Sequence, residues 1–127
     1  MREHTDRFSF SGRIRSVSFA LRGIRGMLRD QHNAWVHAFA TVGVIAAGAI
    51  FQVSVYEWLA LIMAITVVWV AEALNTAFEY LCDVASPEFH PLVEKSKDIA
   101  AGAVLLAALG AVAIGLVIFL PHLLALF

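Results

Sequence analysis

Glu72, Asn75, Thr76, Glu79 and Asp83 stand at i, i+3, i+4, i+7 and i+11 of one segment. At helical pitch this spacing puts all five on a single stripe. The segment continues an apolar run that begins near Trp58, so the stripe belongs to a helix of membrane length. A carboxylate on such a helix costs several kcal/mol if it faces lipid, so it must face a protein interior or a water-filled site. Glu72 and Glu79 stand roughly 10 Å apart along the axis, one deep and one near the interface. The shallow Glu79 suits a hard cation such as Mg²⁺, which prefers carboxylates together with substrate phosphates. The deep Glu72 suits a general base, and from below the headgroups it reaches a lipid hydroxyl rather than a soluble one. Asn75, between them, orients groups through hydrogen bonds. Lys97 can hold a phosphate as a point charge, and Asp98 can ligate metal or position that lysine. Together these residue types form a kit for phosphoryl transfer to a membrane-embedded alcohol.

Each feature also has an ordinary explanation. A single intramembrane glutamate serves packing or ion pairing more often than catalysis, but two glutamates with an asparagine on one stripe point to a site. Lys97-Asp98 taken alone is a solvated pair at a helix start. His32, His37 and His90 show no metal-ligand spacing, and structural roles are expected for them. The sequence has no Walker A loop, kinase glycine-rich loop or dinucleotide fingerprint, so a bound nucleotide would occupy an unorthodox site. No nucleic-acid recognition motif accompanies the basic residues.

The elements that carry these residues follow from composition. The chain has 127 residues, enough for one domain (1–127). It is 61% hydrophobic and 15% charged, with a mean hydropathy of +0.80. Soluble domains average about 45–50% apolar and 25% charged, so this is a membrane protein. The net charge of −1 conceals an asymmetry: of the nine basic residues, Arg2, Arg7, Arg13, Arg15, Arg22, Arg25 and Arg29 precede residue 30, and Lys95 and Lys97 share one later loop. The single Cys82 rules out an internal disulfide. The N-terminus shows no uninterrupted apolar run of the signal-peptide kind.

Residues 1–11, including His4, read as a loose polar start. Over 13–29, Ile14, Val17, Leu21, Ile24 and Leu28 recur at helical spacing among arginines, which predicts an amphipathic helix in the interface with its arginines reaching anionic headgroups. The polar cluster Asp30-Gln31-His32-Asn33 precedes a first span over 35–51, roughly 25 Å long. A short turn bearing the interfacial Tyr56 and Trp58 leads to a second span over 56–83, which at roughly 40 Å must project beyond the hydrocarbon. The prolines of 85–91 mark a loop. A third span is expected over 94–120, closed by Pro121, with Ala103, Ala107, Ala111 and Gly115 forming a small-residue face. The fold class is therefore all-α integral membrane, with a surface helix and three transmembrane helices.

The runs Glu72-Ala-Leu-Asn75-Thr-Ala-Phe-Glu79-Tyr-Leu-Cys-Asp83, Ser86-Pro-Glu-Phe-His-Pro and Lys97-Asp98-Ile-Ala-Ala-Gly-Ala-Val resemble the prokaryotic diacylglycerol kinase family, which includes the undecaprenol kinases. The resemblance extends from about Ser16 into the third span. It implies a homotrimer in the bacterial inner membrane that transfers the ATP γ-phosphate, with Mg²⁺, to a lipid hydroxyl. By position, Glu72 looks like the family's catalytic base, with Asn75 beside it, and Glu79 like its metal ligand. Lys97 and Asp98 look like its nucleotide-contacting pair, and Glu88, Phe89 and His90 match its nucleotide-binding loop. The family's second metal ligand, a glutamate within E-x-N-x-R-x-H, corresponds here to Gln31, and its arginine to Trp35. An amide oxygen can still ligate Mg²⁺ but brings no charge; Asp30 is a substitute.

The sequence leaves two other readings: a small oligomeric ion-coupled transporter using Glu72 as a proton site, and a non-catalytic, holin-like membrane assembly protein. The choice between diacylglycerol and undecaprenol is open at this point, because an apolar groove admits either. The basic residues place the N-terminus and the 84–98 loop in the cytoplasm under the positive-inside rule, so three polar groups meet at one membrane face. A reporter fused after Phe127 is expected to be active on the external side only. Activity in the cytoplasm would overturn this orientation.

Overall fold

The structure, a computed structural model, describes residues 7–127; Arg2, His4 and the first residues of the polar start lie outside it. The described residues form four helices: α1 (Phe10–Asp30), α2 (His32–Ile50), α3 (Val55–Ala85) and α4 (Pro91–Leu124). Three of them, α2, α3 and α4, are long and apolar enough to cross a membrane.

Helix α1 opens on Ser9, whose side chain accepts the Gly12 N–H at 3.1 Å. Ile14, Val17, Leu21 and Ile24 are exposed on the protein, as befits a face turned to lipid, while Met27 is buried at the inner end. Gln31 alone separates α1 from α2. Its backbone is extended (φ −113°, ψ 118°), and its N–H still closes on the Met27 carbonyl at 3.0 Å. One non-helical residue thus turns the interfacial helix into a span.

The turn from α2 to α3 has a defined C-cap. Val53 N–H bonds the Gly48 carbonyl at 3.1 Å and Gln52 N–H the Ala49 carbonyl at 3.3 Å, a Schellman pattern. Gln52 takes the left-handed position (φ 50°) that glycine usually fills. Ser54 then starts α3 with a capping box: its side chain accepts the Glu57 N–H at 3.2 Å, and Glu57 Oε1 accepts the Ser54 N–H at 3.0 Å.

Around this turn sits the apolar core. Val53, Leu61 and Ile118 are buried, and Val44, Phe51, Trp58, Ile114 and Phe119 pack on them. At the same end His122 Nε2 lies 3.1 Å from Glu57 Oε2, tying the end of α4 to the start of α3. The contact between α3 and α4 is the most extensive in the molecule, followed by α2 with α3, while α1 touches α2 and α3 only locally.

The helices run slightly longer than periodicity predicts, and one expectation is corrected. Pro121 lies inside α4, which continues to Leu124. A proline removes one N–H and its ring crowds the carbonyl four residues back; with only three residues of helix remaining, the last turn persists. At the other end of α4, Pro91 takes the first helical position, where a missing N–H costs nothing.

Gly48 of α2 lies against the Trp58 ring of α3. A Cβ there would lie 2.6 Å from Trp58 Cη2. Gly48→Ala is expected to destabilise the detergent-solubilised protein by about 1–3 kcal/mol, the usual cost of overpacking, read as a lower melting temperature with an altered near-UV tryptophan signal. An unchanged melting temperature would mean that the Trp58 contact does not hold the two helices together.

Candidate active site

The polar stripe of α3 forms a gradient. Glu72 is 1% exposed, Asn75 7% and Thr76 4%. Glu79 is half-buried, and Asp83 is open to solvent. A carboxylate as deep as Glu72 needs a partner, because burying a lone charge is too costly to persist. That partner comes from α2: His37 Nε2 lies 3.1 Å from Glu72 Oε2. The contact survives either protonation state, with an imidazole N–H donating to the carboxylate or a carboxyl donating to the ring nitrogen. Sequence spacing does not reveal this pair. The available signal was His37 itself, a polar side chain inside an apolar span, which by the reasoning applied to Glu72 also requires a partner.

His37 is held in turn. Thr41 Oγ1 donates to the His37 carbonyl at 2.7 Å and accepts the Trp69 indole N–H at 2.9 Å. The Trp69 ring meets the imidazole edge-on, with centroids 6.1 Å apart.

Beside the pair opens a cleft of about 310 Å³. Helix α3 lines it with Glu72, Asn75 and Glu79, and α2 with Asn33, Val36 and His37. Helix α4 contributes Ala101, Val104, Leu105 and Ala108, side chains short or apolar enough to leave the space open. Asn75 Nδ2 approaches Glu79 Oε1 at 3.5 Å, and the buried Asn75 Oδ1 has no hydrogen-bond partner among the described residues. The buried Thr76 Oγ1 is likewise unpartnered, and it lines a second, apolar groove of about 410 Å³ between α1 and α3, with Asp30 and Tyr80.

Other residues singled out from the sequence fall around this cleft rather than in it. Lys97 Nζ donates to Asp83 Oδ1 at 2.6 Å, one turn beyond Glu79 and within reach of its charge. Asp98 is exposed on α4. Glu88, Phe89 and His90 share the exposed α3–α4 loop, where Ser86 Oγ donates to the Glu88 carbonyl at 3.0 Å and His90 Nδ1 accepts the Leu92 N–H at 3.2 Å. His90 therefore caps α4. Gln31 sits at the α1–α2 break, outside the residues lining the cleft. Trp35 is exposed. Asp30 accepts from Arg29 Nε at 3.0 Å, and this hydrogen bond, then the attraction between the charges, raises the Arg29 pKa above its ordinary value. Of the polar cluster before the first span, Asn33 faces the cleft while Asp30 faces the α1 groove.

An oxygen-rich pair such as Glu79 and Asn75 at the mouth of a cleft is the donor chemistry that a hard cation accepts. Among the described residues, no three His, Cys, Asp or Glu side chains converge as a metal cage. A Mg²⁺ held by one or two carboxylates plus phosphates does not require one.

The sequence profile described as prokaryotic diacylglycerol kinase matches residues 18–119. Over 110 residues the chain is 38% identical to an undecaprenol kinase of Bacillus subtilis (strain 168), which covers 87% of this chain and 89% of that protein. A diacylglycerol kinase of Synechocystis sp. is 37% identical over 112 residues, covering 87% of this chain and 64% of the relative. A diacylglycerol kinase of Escherichia coli (strain K12) is 28% identical over 120 residues, covering 89% and 93%.

Proposed function

This chain belongs to the prokaryotic diacylglycerol kinase family, and from that premise we propose that it transfers the γ-phosphate of ATP, taken as its Mg²⁺ complex, to the hydroxyl of diacylglycerol or undecaprenol. It is a membrane-embedded lipid kinase. The observation that carries the mechanism is the depth gradient along α3: a fully buried Glu72, a buried Asn75 and a half-buried Glu79 line one cleft.

In this reading Glu72 accepts the proton of the lipid hydroxyl as its oxygen attacks the γ-phosphorus and the bond to the β-phosphate breaks, releasing ADP. His37 occupies Oε2, which leaves Oε1 for the acceptor. Asn75 orients the reacting groups through its free amide oxygen. Glu79 would hold Mg²⁺, with Gln31 as the family-derived second ligand. The ion would offset the charge that develops on the phosphates. Lys97 and Asp98, with Glu88, Phe89 and His90, would take the nucleotide at the membrane surface; for Lys97 this means exchanging Asp83 for a phosphate. The apolar groove beside α1 offers a bed for the acceptor's hydrocarbon. The same proposal places the site at the cytoplasmic face of the inner membrane and joins three copies of the chain. A transporter would not need Lys97 and Asp98 beside the glutamates, and an assembly protein would tolerate their loss.

Purified protein is expected to label diacylglycerol or undecaprenol from [γ-³²P]ATP, each tested in turn. Glu72→Gln should reduce transfer by roughly 10²–10⁴, the range of general base catalysis, while ATP–Mg²⁺ binding and the cross-linked trimer persist. Wild-type turnover in this variant would remove Glu72 from the base role, and loss of the oligomer would assign it to packing.

Glu79→Ala is expected to raise the Mg²⁺ requirement and weaken ATP binding with it. Gln31→Glu should lower that requirement, because a unit pair at about 4 Å is worth roughly 4 kcal/mol at an effective dielectric of 20 before desolvation and repulsion reduce it. A Mg²⁺ titration shows both effects. Equal losses at all Mg²⁺ concentrations in Glu79→Ala would refute metal ligation there. An unchanged titration in Gln31→Glu, with an upward shift in Asp30→Asn, would move the second ligand to Asp30.

A further inference from the structure

We propose that His37 is a positioning residue for Glu72, and that Thr41 and Trp69 set the histidine in turn. The four side chains close a ring across two helices: Glu72 Oε2 to His37 Nε2 at 3.1 Å, the His37 carbonyl to Thr41 Oγ1 at 2.7 Å, and Thr41 Oγ1 to Trp69 Nε1 at 2.9 Å. One turn of α3 from Trp69 back to Glu72 completes it. The His37 and Glu72 side chains are 14% and 1% exposed, so the pair is largely shielded from bulk water.

The terminal torsion of a glutamate is broad and roughly two-fold, so a free carboxylate at this depth has no fixed direction. Holding Oε2 removes that freedom and aims Oε1 at a constant place. The imidazole meets the Trp69 ring edge-on, and Thr41 in turn holds the Trp69 indole N–H. Glu79 on α3 is the only other titratable group lining the cleft among the described residues, and the α4 wall is apolar. The pair is thus isolated from other charges except through Glu79.

The proposal rests on Glu72 being the base, and the test separates the two. His37→Leu removes the donor; His37→Gln restores an N–H in its place. With the full-length protein in detergent–lipid micelles, His37→Leu is expected to lower kcat by roughly 10- to 10²-fold, the scale of a small misplacement of a reacting group, with the ATP KM little changed. His37→Gln should recover most of the rate, and Thr41→Val should show a smaller loss of the same kind. In a Glu72→Gln background, His37→Leu should cost nothing more. If Glu72→Gln abolishes transfer while His37→Leu keeps the rate of the parent, the positioning role is wrong and the base assignment stands. If Glu72→Gln remains active, the base assignment fails first. A His37→Leu loss that tracks a lower melting temperature, with no recovery in His37→Gln, assigns His37 to packing alone and overturns the proposal.

Discussion

A carboxylate buried in a membrane-length helix must have a polar partner, and this constraint organises the polar half of the molecule. Glu72 meets it through His37. Because side chains four apart share a helix face, turning His37 toward α3 also turns Asn33 and Thr41 the same way. Asn33 then lines the cleft, and Thr41 takes the Trp69 indole N–H. The polar stripe of α3 thus faces a matching stripe on α2.

The two ends of the bundle solve different problems. At the Gln52 turn the helices are locked by apolar packing and by Trp58 lying against Gly48. The other end keeps a cleft open, walled on one side by the short side chains of α4. Helix α3 is 31 residues long, more than a bilayer core requires, so its polar stripe passes from a sealed interior at Glu72 to solvent at Asp83. A lipid kinase phosphorylates a hydroxyl held in the membrane, and a site that spans such a gradient can reach it. The solvent-exposed Lys97–Asp83 pair at the upper end is weakly held.

What could be read from the sequence was what depends on neighbouring residues. The period of the apolar positions and the thickness of a bilayer are enough to mark the interfacial helix, the three spans and the shared face of Glu72, Asn75, Thr76, Glu79 and Asp83. The motifs around Glu72 and Lys97 carried the family resemblance for the same reason, being contiguous runs. Pro121 was read as a helix end from a local rule, yet α4 passes through it with only three residues of helix remaining.

The tertiary structure decided how the helices are rotated against one another. His37 and Glu72 lie 35 residues apart, and no spacing rule connects two faces on different helices. Asp30 and Asn33 are near neighbours in the chain, yet they face different cavities because the extended Gln31 redirects the backbone between them. His90 caps α4, and Lys97 closes on Asp83. Helical periodicity says which residues share a face. Which face meets which is determined by packing between helices, since only there do buried polar atoms find their partners.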